Sequence, residues 1–133
     1  MRFVLDASVV ITWAMRDESH PQADLAFTRL QAGSAIVPAI WWYEVRNILI
    51  VNERRGRIAE ADSVQFLRDL KAFSIDILFP HDELELIDLS RKHKLSIYDA
   101  AYLAVALRED LPLSTLDKNL ESAARIEGVG LLV

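Results

Sequence analysis

KLSIYDAAYLAVALREDLPLSTLD, Lys94 to Asp117, is the stretch on which the fold turns. Ser96 followed by Asp99 is an S-x-x-D helix start. Tyr102, Leu103, Ala106 and Leu107 follow Asp99 at i+3, i+4, i+7 and i+8, the spacing of a stripe that faces a core. The period then changes: LPLSTL reads as a short strand, and it ends on a second acid, Asp117. Helix followed at once by strand is half of an α/β repeat. Asp99 itself lies in line with the apolar stripe. A carboxylate turned inward without a partner is costly to keep ionised, or else takes up a proton.

Working outward, the same alternation recurs. RFVL (2–5) is a short apolar run ending at Asp6. DESHPQADLAFTRLQAG carries Ala23, Ala26, Phe27 and Leu30 at helical spacing, with Pro21 near its start and Gly33 just past its end. AIVP is a second strand, and a helix opened by Pro38 runs through WWYEVRNILI towards Gly56. EADSVQFLRDLKAF is helical, with Phe66, Leu67, Leu70 and Phe73 on one side. SIDILF alternates Ile75, Ile77 and Phe79 as a strand, and HDELELIDLSRKHK is a helix before the opening stretch. Beyond it, DKNLESAARIEG is a helix and VGLLV a fifth strand. This order predicts an α/β sandwich on a mostly parallel sheet of about five strands, with residues 1–133 forming one domain.

Composition narrows the function. At 133 residues and 52% hydrophobic, the chain can bury a real core. It has no apolar run near the ~20 residues of a membrane span, and its N-terminus does not read as a signal peptide. Cysteine is absent, which excludes disulfides, thiolate metal sites and cysteine nucleophiles, and is compatible with a cytoplasmic location. A formal charge of −5 argues against nucleic-acid binding through overall basicity. It leaves open an acidic site that meets phosphate through a cation.

Ligands of parallel α/β sheets sit beyond the C-terminal strand ends. Asp6 and Asp117 both follow strands directly. Asp99 sits near a helix start, and Glu44 lies on a helical wheel inside the stripe of Trp41, Val45 and Ile48. All four can converge on one spot, facing one another across a cation. Each also has an ordinary structural role open to it. Asp99 can complete a capping box with Ser96, Asp117 can cap the helix it precedes, Asp6 can close an Asx-turn, and Glu44 can pair with Arg46 or Arg91.

VLDASVV, the P-x-x-x-x-x-E ending at Glu44, SIYDAAYLAVA around Asp99 and LSTLDKNL around Asp117 resemble the motifs of the PIN domain, most closely those of VapC ribonuclease toxins. The resemblance spans nearly the whole chain. It implies a PIN-like three-layer α/β/α sandwich and hydrolysis of RNA phosphodiester bonds. Asp6, Glu44, Asp99 and Asp117 would form the acidic cluster that binds Mg²⁺ or Mn²⁺. Asp6 and Asp99 would hold the main ion, with Glu44 or Asp117 acting on the water or on a second ion. Thr115 matches the small hydroxyl before the last acid, and Ser8 stands where a supporting hydroxyl is often found. Lys118 and Asn119 occupy positions where some relatives carry a further acid. The resemblance also implies a small VapB-like antitoxin and a homodimer, with no membrane partner.

The residue chemistry agrees with that implication. Hard divalent cations take oxygen ligands, and four clustered carboxylates without a cation would repel one another. With the four acids set aside, the rest of the chain is nearly neutral. Lys118, beside Asp117, is a candidate for holding a phosphate; Arg54, Arg55 and Arg57, and Arg91, Lys92 and Lys94, form local basic groups. His20, His81 and His93 stand among polar residues with no catalytic role expected. Trp41, Trp42 and Tyr43 cannot all face one core, so at least one is expected on the surface. The exposed members of that group, with Trp13, are where an antitoxin would pack while its arginine plugs the acids. Two other readings carry less. A haloacid-dehalogenase-type phosphotransferase expects a second aspartate where Ser8 stands. An inactive PIN-like RNA-binding or interaction module would not need all four acids.

Overall fold

In the computed structural model, which describes residues 1–15, 17–79 and 82–133, the sheet has four strands in the order β3-β2-β1-β4, all parallel. β1 (Arg2–Leu5) lies at the centre, between β2 (Ser34–Pro38) and β4 (Leu113–Ser114). Phe3, Val4 and Leu5 are fully buried, as expected of a parallel strand covered on both faces. β3 (Ile75–Leu78) is an edge strand, and there the expected alternation does not sort inside from outside. Ile77 is exposed, and so is Phe79 just past the strand.

β4 has two residues where six were expected, and VGLLV forms an isolated parallel bridge, Leu131 with Leu113, at its outer side. Leu113 donates to the Gly130 carbonyl at 2.9 Å and accepts from the Leu132 amide at 2.9 Å. A strand this short offers its outer neighbour too few groups to build a longer ladder. Its inner side matters more. Val4 pairs with Leu113 and Leu5 with Ser114, and the Asp6 amide continues the ladder to the Ser114 carbonyl at 3.0 Å. Asp6 and Thr115 therefore leave the sheet side by side.

Helices flank the sheet. A short helix, α1 (Ala7–Val10), follows β1 at once and runs into a 3₁₀ turn at Ile11–Trp13; both were unassigned from the sequence. α2 (Pro21–Ala32) opens on Pro21, whose missing N–H costs nothing at a helix start. α3 (Ile40–Arg54) begins two residues after Pro38, which belongs to β2 rather than to the helix. α4 is Glu60–Leu70, α5 Glu83–His93, α6 Ile97–Glu109 and α7 Lys118–Ile126.

α6 departs from the stripe its spacing suggested. Ala100 through Ala106 are all buried, so the middle of the helix is enclosed on every side. It packs against β1, β2 and β4, with α5 and α7 laid against it. Alanine at positions 100, 101, 104 and 106 makes that possible, because small side chains let neighbouring elements approach. Lys94, in the left-handed conformation (φ 54°), ends α5 and turns the chain into α6, so that Asp99 falls in the first turn of a fully anchored helix. Among the described residues, no helix is long and apolar enough to cross a membrane.

Candidate active site

Asp6 is 5% exposed and sits where β1 gives way to α1. It does not cap that helix with its side chain. Its Oδ2 instead accepts two hydroxyls, Ser8 Oγ and Thr115 Oγ1, each at 2.7 Å. Each hydroxyl is itself held from behind. Ser8 Oγ accepts from the Leu116 amide at 3.0 Å, and Thr115 Oγ1 from the Asp117 amide at 3.0 Å. Two donor relays thus start in the chain after β4 and end on one oxygen of Asp6. Burial pushes the Asp6 carboxyl above its usual range, the hydroxyls pull it back, and Asp99 raises it further.

Glu44 lies in the second turn of α3, half-buried. Its partner is neither Arg46 nor Arg91: Oε1 accepts the phenol of Tyr102 at 2.6 Å. Burial raises its pKa, the phenol partly offsets this, and Asp6 and Asp99 add to the rise. Asp99, also half-buried, is raised by burial and then by Asp117, against a lowering contact from Ser96. The expected cap is present as well, since Ser96 Oγ accepts from the Asp99 amide at 3.0 Å. Asp117 caps α7 through Oδ1, which accepts from the Asn119 and Leu120 amides at 2.9 and 3.1 Å.

The ordinary roles of Asp99 and Asp117 are therefore real, yet they do not use up the acids. The Ser96 cap engages the Asp99 backbone, and the Asp117 cap engages Oδ1. Electrostatically the four form a chain: Asp6 and Asp99 each act on Glu44, Asp99 acts on Asp6, and Asp117 on Asp99. Among the described residues, no three Asp, Glu or His side chains stand close enough to grip one ion together.

Other sequence candidates fall elsewhere. Lys118 is highly exposed, with its ammonium 3.6 Å from Glu121. Arg57 is tied to Asp17 at 3.0 Å and to Asn52 at 2.8 Å, and Lys92 to Glu127 at 2.7 Å, so neither basic group is wholly available to RNA. His20 lies 3.8 Å from Glu18, and His81 is outside the described residues. His93 is not a polar surface residue: its side chain is 5% exposed, with Nε2 2.6 Å from Glu127. Trp41 is buried, whereas Trp42 and Tyr43 are exposed and meet edge to face at 5.1 Å, with Arg46 stacked over Trp42 at 3.8 Å. The cavity of about 770 Å³ that Trp13 and Phe66 line contains none of the four acids.

Tyr102 is the residue at the site that sequence reasoning passed over, counting it only as core. A signal existed, because a phenol in a buried, alanine-rich helix must find a hydrogen-bond partner.

Comparison with known proteins places this geometry in context. The PIN domain family matches residues 3–126. Ribonuclease VapC3 of Pyrobaculum aerophilum is 33% identical over 124 residues, covering 90% of this chain and 92% of that protein. The crystal structure of PAE2754 from the same organism superposes with a TM-score of 0.72 at 24% identity, covering 92% of this chain and 84% of the other. A toxin–antitoxin complex from Klebsiella pneumoniae superposes with a TM-score of 0.63 at 20% identity, covering 98% of each chain. At those identities the two structures speak for the fold.

Proposed function

This chain belongs to the PIN-domain family, and we propose that it is a metal-dependent endoribonuclease, the toxin of a VapBC-type pair acting in the cytoplasm. One observation carries the reading. Asp6, Glu44 and Asp99 are each raised by burial and by a neighbouring acid, Asp99 acting on Asp6, Asp6 and Asp99 on Glu44, and Asp117 on Asp99. The side chains hydrogen-bonded to them are the neutral hydroxyls of Ser8, Thr115, Tyr102 and Ser96. Such an arrangement is unfavourable in a resting protein and becomes favourable once a cation arrives.

The donor set fits Mg²⁺ or Mn²⁺. It is all oxygen, and among the described residues no three acids converge on one point. Mg²⁺ commonly takes only one or two carboxylates, completing its shell with waters and substrate phosphate. Asp6 and Asp99 would hold the ion, with Asp117 and Glu44 beside them. When bound, the ion lowers the pKa of a water and offsets charge on the phosphate.

The chain's own residues supply the rest. The two relays through Ser8 and Thr115 fix Asp6, so its second oxygen presents in one direction. Glu44 would take the proton of the attacking water on Oε2, the oxygen the Tyr102 bond leaves, as the water oxygen bonds to phosphorus and the ribose oxygen departs with a proton from solvent. Asp117 holds its place through the α7 amides while Oδ2 remains for a water or a second ion. The first turns of α6 and α7 add positive ends of helix dipoles to a site that must admit a phosphate. Thr115 and Ser8 act through Asp6, while Lys118 is near enough in sequence to Asp117 to reach a flanking phosphate.

The test is cleavage of an RNA oligonucleotide by the purified chain with Mg²⁺ or Mn²⁺ and with excess chelator. Metal-dependent cutting is expected; undiminished cutting in chelator sinks the mechanism. No cutting under any metal condition, with RNA still bound, favours an inactive module instead.

The antitoxin and the homodimer are parts of the same proposal. Trp42 and Tyr43 are the exposed aromatics on which an antitoxin segment would pack; Trp41 is buried and is withdrawn from that surface. Trp42→Ala should weaken antitoxin binding by about 2 kcal/mol if it is an interface centre. Unchanged affinity would place the antitoxin elsewhere.

A further inference from the structure

Resting on the reading of the site as a metal-dependent nuclease, we infer that Tyr102 is a positioning residue that holds Glu44 in a working orientation through the hydrogen bond from its phenol to Glu44 Oε1.

Three observations support this. The first is where Tyr102 sits. It is fully buried on α6, three residues after Asp99, in the enclosed middle of that helix. Its ring has no room to swing, so its oxygen is a fixed point. The second is what that oxygen touches. It donates to Glu44 on α3 at 2.6 Å, a short contact typical of a hydroxyl on a carboxylate. The backbone of Ala7, the residue after Asp6, lies near enough to act on the same oxygen. One side chain thus joins the helix that carries Asp99 to the helix that carries Glu44, beside the turn that carries Asp6.

The third observation is what the bond leaves open. A glutamate has three side-chain torsions, and on a half-buried helix face it would sample several orientations. With Oε1 fixed by the phenol, Oε2 is the oxygen that remains to act. The other anchored acids follow the same arrangement: Asp6 uses Oδ2 for both hydroxyls, and Asp117 uses Oδ1 for both amides. In each acid the protein takes one oxygen and leaves the other.

A purely structural bond does not account for this pair. A buried phenol can be satisfied by a backbone carbonyl or an amide at no electrostatic cost. Here its partner is a carboxylate that Asp6 and Asp99 both repel. The phenol offsets part of that repulsion, which serves a purpose when Glu44 must be charged and aimed.

The experiment is a double-mutant cycle on the full chain, reading Mn²⁺ affinity by calorimetric titration and RNA cleavage as separate kcat and KM. Tyr102→Phe keeps the ring and removes the donor. Orienting groups behind metal-site residues typically contribute 10- to 100-fold, so a fall of roughly tenfold in Mn²⁺ affinity or in kcat is expected, with KM little changed. In the Glu44→Gln background the same substitution should cost less than twofold, because the residue it positions is already disabled. Parent-like affinity and kcat in Tyr102→Phe overturn the inference, as do losses that multiply in the double variant. If Tyr102→Phe does not fold, Glu44→Asp decides. It retracts the carboxylate from the phenol while keeping the charge, and parent-like behaviour there overturns the inference equally. A parent chain that neither binds Mn²⁺ nor cuts RNA removes the nuclease reading itself, and the positioning role with it.

Discussion

Two groups of buried or half-buried acid in this protein make an instructive pair. Glu127, just past α7, has two basic neighbours: Lys92 Nζ at 2.7 Å and His93 Nε2 at 2.6 Å. The Lys92 and His93 contacts hold its carboxyl below the usual range. Asp6, Glu44 and Asp99 are raised, and the charged neighbours that act on them are all acids: Asp99 on Asp6, Asp6 and Asp99 on Glu44, and Asp117 on Asp99. The chain neutralises Glu127 from its own residues, stapling α5 to α7, and gives Asp6, Glu44 and Asp99 no cationic partner among the contacts that shift them. An acid answered within the chain holds elements together; under the proposed function the other three would be answered by a cation.

The difference predicts opposite behaviour. The largest effect should be on activity. Asp6→Asn and Asp99→Asn should each lower RNA cleavage by at least about a hundredfold, beyond what supporting residues usually contribute. Glu127→Gln should change it less than twofold. Comparable losses from both regions would erase the distinction.

Next comes metal-linked stability. Mn²⁺ at a hundred times its Kd should stabilise the parent by about 2.7 kcal/mol, read as a rise in thermal midpoint. The rise should vanish in Asp99→Asn and persist in Glu127→Gln. A parent midpoint indifferent to divalent cations counts against the site.

Smaller is the effect on the metal-free chain. Glu127→Gln should cost about 1 kcal/mol, a charged hydrogen bond discounted for partial exposure. Asp99→Asn should be neutral or stabilising, since it relieves repulsion from Asp117 and keeps the backbone cap on Ser96. Melting well below the parent would mean that the cap depends on the charge.

The gentlest test is pH. Asp6, Glu44 and Asp99 have folded pKa values above their unfolded ones, so the native state binds more protons. Their contribution is most favourable below about pH 4 and is lost as pH rises through the raised values. Glu127 is lowered, so its contribution is present above its unfolded value and lost as pH falls through the folded one. The metal-free midpoint should therefore decline from mildly acidic to neutral pH, and saturating Mn²⁺ should flatten that decline. An unchanged slope with metal would separate the titrating acids from the binding ones.

What the sequence revealed and what it concealed follow from distance along the chain. Asp6 and Asp117 were legible because a strand end is marked by its neighbours in sequence, and Asp99 because it falls in line with the apolar stripe of its own helix. Ser8 and Thr115 came from the family resemblance, and both reach Asp6. The Tyr102–Glu44 bond was hidden, since its partners are 58 positions apart and each has an adequate local explanation as a core or stripe residue. His93 misled for the same reason. Its sequence neighbours are polar, but its carboxylate partner is 34 positions on and its ring is buried. The short β4 and the single bridge at Leu131 were beyond local patterning too, because LPLSTL and VGLLV carry strand-like residues whatever ladder they end up making.

The relay from Thr115 to Asp6 spans 109 positions, and this gives the protein an order of assembly. Contacts so distant in sequence form late, after the loop between them has been closed by other packing. A chain still being synthesised has Asp6 and Glu44 long before it has Tyr102, Thr115 or Asp117. During those seconds its acids are unaligned, and by the proposed mechanism it would not yet cut the RNA around it. Hydrolytic competence would arrive when the last strand slots beside the first, and a partner restraining the nuclease would need to recognise only the finished molecule.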